Sequence, residues 1–395
     1  MKLVKMSMVA ALLVGSSAFA IDNVKVDGNA NLFYSTSDKT EAIDLFDKAG
    51  AIGQASLGLG ITADLTKSVS AGAHLTALST LGLENQLVGG VWEGTNATDD
   101  YFWFDEAWLA ATAGKTTGKV GRMELDTPLV FTETWSIAKN TFEAAVLVNQ
   151  DIPDTTVVAA YVGGSNGGDV VTNPGVVVAP VNANGTTNFS QFYNGAFAAG
   201  IINNSVEPLT LQAWYYDATQ VIQAYWLQAD VEIDGISFGA QYVSQDASSF
   251  NNNFETQSAY AVKLGYEMED TFAAFIAYSS VDDKNGLGNV GANLAGSGQS
   301  QLYTEAWWAY GVVSAVDTTT VTAAVEAPVE GIADIGVFYT MADNGAANNV
   351  GDLTELTLTA SRSYGALDTT VAYINTTEDG GDAYNMLQVY LTLNF

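Results

Sequence analysis

The sequence predicts an all-β protein that closes into a transmembrane antiparallel β-barrel of 18 strands, with 16 as the alternative. Apolar and polar residues alternate along many segments of about 9 to 11 residues, the length with which a strand crosses a bilayer. After residue 20 the chain has no run of about 18 uninterrupted apolar residues, so a helical span is excluded. Such a chain enters a membrane only with strands that close on themselves.

The first and last predicted strands show the alternation most clearly. In the first strand, one face is apolar and the other is mostly polar; the polar face carries Lys25, Asp27, Asn29 and Asn31. In the last strand, the apolar face ends in an aromatic residue and consists of Leu387, Val389, Leu391, Leu393 and Phe395. One face of each strand therefore suits lipid and the other suits water.

Connections between the predicted strands alternate between short and long, as they do in barrels whose two ends differ. Short turns are predicted near residues 64–68, 114–118, 150–154, 202–207, 233–235, 268–270, 328–331 and 363–366. Long polar loops are predicted near 35–52, 79–103, 126–139, 164–190, 245–256, 281–316, 341–352 and 375–383, with a short connection near 217–220 on their side. An even strand count places residues 305–308 inside the long loop near 281–316, which is the seventh connection on that side, and starts the next strand near Thr318.

Aromatic residues also cluster near the predicted strand ends, where such side chains form girdles at membrane interfaces. These residues are Tyr34, Trp92, Tyr101, Trp103, Trp214, Tyr215, Tyr216, Tyr242, Tyr278, Tyr339 and Tyr373. Because aromatic residues are common in any β protein, their positions and not their number support the barrel.

The amino terminus indicates export. Two lysines, an apolar run and Ala18-Phe19-Ala20 predict a signal peptide over residues 1–20 and a single barrel domain over residues 21–395. Removing the signal takes away two of the 13 basic residues and none of the 44 acidic ones, which leaves a formal charge of −33. Such a balance excludes nucleic acid as a partner and favours cations. Cysteine is absent, so disulfides cannot stabilise the exported chain.

Two features resemble known outer-membrane proteins. The final strand with terminal Phe395 resembles the segment that the barrel assembly machinery recognises. Gly121 and Arg122, followed by Thr127 and Pro128, resemble a stretch of the OprD-like porins, and the whole mature chain is similar to the related major outer membrane porins of Campylobacter-type bacteria. The resemblance implies the outer membrane of a Gram-negative bacterium, a homotrimer in lipid, and a loop near residues 126–139 that folds inward and narrows the pore.

Four residues near this loop are candidates for the constriction. Arg122 and Glu124 share a strand face opposite Met123 and Leu125, so both point into the lumen if Met123 and Leu125 face lipid. Asp126 and Glu133 would then lie on the inward loop, where a few charges decide which ions pass. The alternative is that Arg122 only forms a structural ion pair with Glu124 or Asp126.

Further candidates for the pore lining come from strand alternation, which places Lys25, Asp27, His74 and Lys263 on the water side. The OprD-like porins often carry a ladder of basic residues, whereas the mature part of this chain has eleven Lys and Arg in all. Cation preference is therefore the better expectation. His74, the only histidine, is interpreted as a wall residue, because one histidine cannot build a zinc site alone.

Three strings that resemble enzyme motifs fail on their context, so no catalytic residue is predicted. Residues 163–167 match a nucleophile elbow but open a polar loop, residues 286–291 match a dinucleotide fingerprint but lie within a loop, and residues 114–116 are half of a phosphate loop. No cofactor is expected, although Ca²⁺ between loop carboxylates such as Asp99, Asp100, Asp282 and Asp283 stays an alternative to solvated acidic loops.

These observations favour a porin through which ions and small hydrophilic solutes diffuse passively. The rival from another class is a non-conducting structural or adhesive surface β protein, because a soluble β-sandwich or solenoid also shows alternating strands. An enzyme barrel would need a nucleophile, a base and an orienting group that the sequence does not assemble.

Overall fold

The structure, a computed structural model, describes residues 22–79, 81–82, 87–88, 101–133, 137–167, 170–173, 176–178, 189–296, 298–345 and 351–395. The predicted signal peptide, Trp92, Asp99 and Asp100 lie outside the described residues. Among the described residues, no helix is long and apolar enough to span a bilayer.

The described chain forms β-strands almost throughout. They are β1 (Asp22–Ser37), β2 (Ala51–Thr66), β3 (Val69–Ser79), β4 (Tyr101–Ala113), β5 (Thr116–Met123), β6 (Asp126–Thr127), β7 (Val130–Phe131), β8 (Phe142–Asn149), β9 (Thr155–Ser165), β10 (Val170–Asn173), β11 (Val176–Val178), β12 (Ser190–Val206), β13 (Leu209–Ala218), β14 (Ile222–Ile233), β15 (Ile236–Asp246), β16 (Gln257–Met268), β17 (Phe272–Val281), β18 (Thr318–Val329), β19 (Ala333–Asn344), β20 (Leu353–Tyr364), β21 (Leu367–Glu378) and β22 (Tyr384–Asn394). Two short 3-10 turns span Lys48–Gly50 and Val312–Ser314.

Within the described residues, 18 of these strands form one antiparallel sheet in which each strand pairs with its neighbours along the barrel and β1 pairs with both β2 and β22. The sheet is therefore a closed barrel. The pairs β6–β7 and β10–β11 are small hairpins outside it. The predicted count of 18 is confirmed, the alternative of 16 is excluded, and β18 begins at Thr318 as predicted.

The two faces of the wall differ as the alternation requires. Facing pairs such as Leu109 and Val120 on β4 and β5 are about half exposed on the outer face. On the inner face, Thr322 and Thr340 pair across β18 and β19, are 2% exposed, and share a hydrogen bond of 3.0 Å between their Oγ1 atoms. An apolar outer face and a polar inner face are what a barrel with lipid outside and water inside needs.

The predicted aromatic girdle is only partly right. Tyr242, Tyr278, Tyr339 and Tyr373 are exposed, as a girdle requires, but Trp103, Trp214 and Tyr216 are buried. These three side chains belong to the packed interior, because loop residues cover them from inside the barrel. Position near a strand end does not tell which face an aromatic side chain occupies.

Two long connections at the barrel end opposite the termini contribute to that interior. We name them L3 (residues 124–141) and L7 (residues 282–317). Leu129 of L3 is completely buried, and its amide donates to the Tyr216 hydroxyl of β13 at 3.3 Å. Its carbonyl accepts from the Leu294 amide of L7 at 2.8 Å. L3 therefore packs against L7 and against inward side chains of β13, away from the strand to which it is joined.

Candidate pore-lining site

A polar cavity of about 460 Å³ lies between L3 and one section of the wall. β22, β1, β2, β3 and β4 are consecutive in the sheet and form this section. Its charged and ionisable lining residues are Asp27, His74, Asp105, Glu106 and Tyr390 from the wall, with Glu124 and Lys139 from L3. Leu129 and Val130 of L3 pack towards β13 and its neighbours, whereas Glu124 and Lys139 of L3 present charged side chains to this section.

His74 forms the best-defined contact in the cavity. Its Nδ1 lies 2.7 and 2.8 Å from the two carboxylate oxygens of Asp105, and the Thr76 hydroxyl donates to Asp105 Oδ2 at 2.9 Å. Gly58 makes room for the ring, because a Cβ at that position would lie 2.8 Å from the ring atom Nε2. The parity prediction that His74 faces inward agrees with this position, while its role stays a prediction.

Asp105 reaches His74 because β4 carries an extra residue there. His74 pairs with Glu106, but the next residue, Leu75, pairs with Phe104, which leaves Asp105 between them. Such a bulge breaks the alternation and redirects a side chain. Sequence reasoning missed Asp105 and Glu106, since strict alternation cannot place two adjacent residues on the same face.

Glu106 is held by two further residues that the sequence did not single out. The Trp108 indole donates to Glu106 Oε2 at 3.1 Å, and Lys119 Nζ lies 3.9 Å from the same oxygen. The Lys119 ammonium also lies 4.3 Å from the centre of the Trp108 ring, within cation–π distance. One carboxylate, one ammonium and one indole thus form a compact group on β4 and β5.

Glu124 and Lys139 form the ion pair of L3, with 3.1 Å between Nζ and Oε1. Both side chains are nearly half exposed, so they remain in contact with the water of the cavity. Asp27, from β1, lies beside Gly60 and is exposed. The described lining therefore carries more carboxylates than ammonium groups.

Arg122 has other contacts than the sequence predicts. Its guanidinium bonds Glu143 of β8 at 3.0 Å, donates to the Phe104 carbonyl at 3.1 Å, and lies 3.9 Å from the centre of the Phe189 ring. The predicted ion pair with Glu124 or Asp126 is therefore wrong, because Arg122 pairs with Glu143 instead. Its part in a constriction stays a prediction.

The inward orientation of Arg122 is expected on the condition that Met123 and Leu125 face lipid, and this condition is not met. Met123 is 1% exposed and belongs to the same buried cluster as Leu129 and Phe142, and Leu125 packs against that cluster. L3 covers these side chains from inside, which sequence alternation cannot reveal.

Asp126 and Glu133 occupy different environments on L3. Asp126 is exposed and accepts from the Gln301 amide at 3.3 Å. Glu133 is 1% exposed, and its Oε1 accepts from Asn293 Nδ2 of L7 at 3.1 Å. The Glu133 carboxylate is thus enclosed by the packed loops, while Asp126 stays open to water.

Lys25 and Lys263 lie at two separate places. Lys25 is exposed on the polar face of β1, two residues from Asp27 and closer to the end with the termini. Lys263 Nζ lies 4.6 Å from the centre of the Tyr303 ring, and the Tyr303 hydroxyl donates to Asp230. The predicted basic residues are therefore not gathered in one ladder.

L7 is attached to three sections of the wall, which the sequence did not predict. Gln241 of β15 donates to the Gln301 carbonyl at 3.0 Å and accepts from the Tyr303 amide at 3.1 Å. On another section, Thr322 of β18 donates to the Thr304 carbonyl at 2.8 Å.

The third attachment of L7 is to β20. Glu355, 2% exposed, accepts from the amides of Trp308 and Ala309 at 3.0 and 2.8 Å. A carboxylate that accepts two backbone amides makes strong, charge-assisted hydrogen bonds. Residues 301–309 of L7 are thus bound to the inner wall.

Three observations concern the acidic loops and the strings that match enzyme motifs. No group of three or more His, Cys, Asp or Glu side chains that could hold a metal ion occurs among them. Asp282 of the predicted acidic loops accepts from the Ser258 amide and hydroxyl at 2.8 Å each. Ser165, in the string that matches a nucleophile elbow, is 1% exposed and donates to the Gly167 carbonyl at 3.3 Å.

Comparison with solved structures identifies the fold. Neither a protein-family model nor a curated protein matches the sequence. OccK8 (OprE) of Pseudomonas aeruginosa is similar with a TM-score of 0.72 at 14% identity, over 95% of this chain and 99% of that chain. The chain has the fold of the OprD- and Occ-type porins.

Two further structures share the fold. OccAB4 of Acinetobacter baumannii has a TM-score of 0.71 at 12% identity, over 94% of this chain and 98% of that chain. OpdK of Pseudomonas aeruginosa, solved with vanillate, also has a TM-score of 0.71 at 12% identity, over 94% of this chain and 98% of that chain. The narrower resemblance to Campylobacter-type porins stays a prediction.

Proposed function

We propose that this protein is a porin in the outer membrane of a Gram-negative bacterium, where ions and small hydrophilic solutes diffuse passively through its water-filled lumen. The observation that carries the proposal is the closed barrel with an apolar outer face and a polar cavity of about 460 Å³ inside it. The fold shared with OprD- and Occ-type porins supports it. Diffusion of this kind needs only a shaped, charged passage and no cofactor.

The proposal extends to the export and assembly of the chain. Residues 1–20 would be removed as a signal peptide, the terminal strand with Phe395 would be the segment that the assembly machinery recognises, and the barrel would be a homotrimer in outer-membrane lipid. These three points rest on the sequence and on its resemblance to OprD-like porins.

The pore prefers cations in this proposal. Asp27, Asp105, Glu106 and Glu124 line the cavity, and Lys139 is the one lysine among its lining residues that the structure describes. A narrow passage with low-dielectric walls focuses the field of these carboxylates and concentrates cations. Vanillate, the carboxylate found with OpdK, would meet an excess of negative charge here.

Planar-bilayer recording of the purified, folded protein under a salt gradient tests both parts. Discrete conductance steps with a cation-preferring reversal potential are the expected result. Conductance steps with anion preference would contradict the proposed cation preference but not the porin function. A folded, membrane-inserted protein without conductance would favour the structural or adhesive barrel.

A matched pair of variants makes the selectivity test sharper. Glu124→Gln and Lys139→Gln remove opposite charges from the same ion pair. Cation preference should fall in Glu124→Gln and rise in Lys139→Gln. The control is Glu330→Gln, in an exposed turn at the other end of the barrel, which should leave cation preference unchanged. Equal shifts of the same sign in Glu124→Gln and Lys139→Gln would mean that this cavity does not control selectivity.

A further inference from the structure

His74 and Asp105 combine three properties that bear on the charge of the cavity. His74 is the only histidine. Its ring is hydrogen-bonded to both oxygens of Asp105 at 2.7 and 2.8 Å, and the two side chains are 19% and 10% exposed. Both residues line the cavity between L3 and the wall, so a change of charge on the ring acts directly on the proposed ion path.

We propose that His74, held by Asp105, makes the ion selectivity of the pore depend on pH near neutrality. The proposal rests on the proposed porin function. Imidazole is the side chain that ordinarily changes charge in this pH range. His74 is then the selectivity-determining residue, and Asp105 and Thr76 are the positioning residues that fix its ring.

The geometry lets the ring gain a proton without losing its anchor. A carboxylate only accepts hydrogen bonds, so the Nδ1–H of the neutral ring donates to Asp105. The other ring nitrogen, Nε2, lies over Gly58, where the absence of a side chain leaves it room. A proton from pore water can bind Nε2 while the bond from Nδ1 to Asp105 stays in place.

The charged groups around the ring determine how much one added proton changes the net charge of the cavity. Asp27 faces the ring from β1, Asp105 and Glu106 face it from β4, and Glu124 and Lys139 face the cavity from L3. Lys119 of β5 lies beside Glu106, while Gly58 of β2 and the cavity-lining residues of β22, which include the phenol of Tyr390, carry no charge near neutral pH.

Four carboxylates and two ammonium groups give this set a formal charge of −2 when the ring is neutral and −1 when it is protonated. Protonation of His74 therefore halves the net negative charge of this set of groups. Because the local concentration of cations rises steeply as the local potential becomes more negative, cation preference should be strong at alkaline pH and weaker at acidic pH.

The test is the reversal potential of the folded protein in a KCl gradient between about pH 8 and about pH 5.5, the interval in which a histidine titrates. In the wild type, the cation-to-anion permeability ratio should fall by roughly twofold or more towards acidic pH. In His74→Gln the ratio should stay constant. A pH dependence that persists in His74→Gln, or a wild type without one, would overturn the inference.

Two control variants address the other groups that could titrate. Glu106→Gln removes a carboxylate of the same cavity, and Glu305→Gln removes a carboxylate enclosed in L7. Both variants should keep the pH dependence, since His74 remains. Its loss in either variant with His74 intact would assign the effect to that carboxylate.

Chemical modification covers the case in which His74→Gln does not fold. Diethyl pyrocarbonate acylates the neutral imidazole in the wild-type protein after folding, and hydroxylamine removes the group. Modification should abolish the pH dependence and hydroxylamine should restore it. A permeability ratio that stays pH-dependent after modification overturns the inference alone, whereas absence of any conductance in the unmodified protein overturns the porin function as well.

Discussion

The side chain of Asn293 in L7 binds both backbone polar groups of Phe131 in L3. Asn293 Nδ2 donates to the Phe131 carbonyl at 2.7 Å, and the Phe131 amide donates to Asn293 Oδ1 at 3.4 Å. Nδ2 also donates to Glu133 at 3.1 Å, and Asn293 is 6% exposed. One amide side chain thus takes the place of a neighbouring strand and joins the two loops inside the barrel.

Replacing Asn293 with alanine should loosen L3 from L7. The variant removes the 2.7 Å bond to the buried Phe131 carbonyl, which keeps only the 3.3 Å bond from the Asn140 side chain, and this loss costs about 0.5–1.5 kcal/mol of local stability. Hydrogen exchange should become faster at residues 126–133, and single-channel recordings should show a larger or noisier unit conductance. Asn285→Ala is the matched control, because Asn285 in the same loop makes one exposed bond to the Asn253 carbonyl. Unchanged exchange in Asn293→Ala would show that other contacts hold L3.

Glu355 should position L7 against β20. In Glu355→Ala, two charge-assisted hydrogen bonds to the Trp308 and Ala309 amides are lost, each worth about 1.5–3 kcal/mol. We expect faster hydrogen exchange at residues 301–309 and a changed unit conductance, with a smaller effect in Glu355→Gln, which keeps one acceptor oxygen.

The control for Glu355 is Glu326→Gln on β18, which removes a charge from an exposed position near the other end of the barrel. It should leave exchange at residues 301–309 unchanged. Equal effects of Glu326→Gln and Glu355→Gln would mean that wall charge, and not the contact with L7, is responsible.

Glu305 should make L7 less stable as pH rises. Its Oε1 is buried, while its Oε2 accepts from the Ser300 amide at 2.7 Å and from the Ser300 hydroxyl. Burial raises the pKa of the Glu305 carboxyl from 4.5 to about 7. Because the folded loop holds the proton more tightly than the open loop does, the cost of ionisation is absent below pH 4.5 and complete above about pH 7.

This pKa shift corresponds to roughly 3 kcal/mol of loop stability. Hydrogen exchange in L7, corrected for its intrinsic pH dependence, should therefore accelerate as pH rises from about 5 to about 7. In Glu305→Gln this acceleration should disappear, because the amide carries no charge and its oxygen still accepts from Ser300. Acceleration of the same size in both proteins would exclude Glu305 as its cause.

The sequence predicts the wall of the barrel far better than its interior. Thr318 could be located as the start of β18 because an even strand count and a strict period of two constrain every strand. Asp105 could not be located, because the bulge that turns it towards His74 is set by pairing between β3 and β4. Met123 was misplaced for a related reason, since the covering loop L3 is held by distant contacts such as Tyr216 and Asn293.

The seam between β1 and β22 makes a last prediction about barrel stability. Phe395 closes it with two backbone bonds to Gly28, of 2.8 and 2.9 Å, and its ring lies where a side chain on Gly28 would be. A Cβ at Gly28 would come within 2.4 Å of that ring. Gly28→Val should therefore displace the ring and destabilise the barrel by roughly 1–3 kcal/mol, seen as a lower temperature of conversion on unboiled denaturing gels.

Double-variant analysis tests this seam directly. In Phe395→Ala the obstructing ring is gone, so adding Gly28→Val should lower the stability of the barrel little further than Phe395→Ala does alone. Ala30→Val, two residues further along β1, serves as the control. It should change the stability of the barrel by the same amount whether residue 395 is Phe or Ala. If the costs of Gly28→Val and Phe395→Ala simply add, the ring does not pack on Gly28. A cost that disappears in the double variant would instead show that the terminal aromatic ring occupies the space that glycine leaves open.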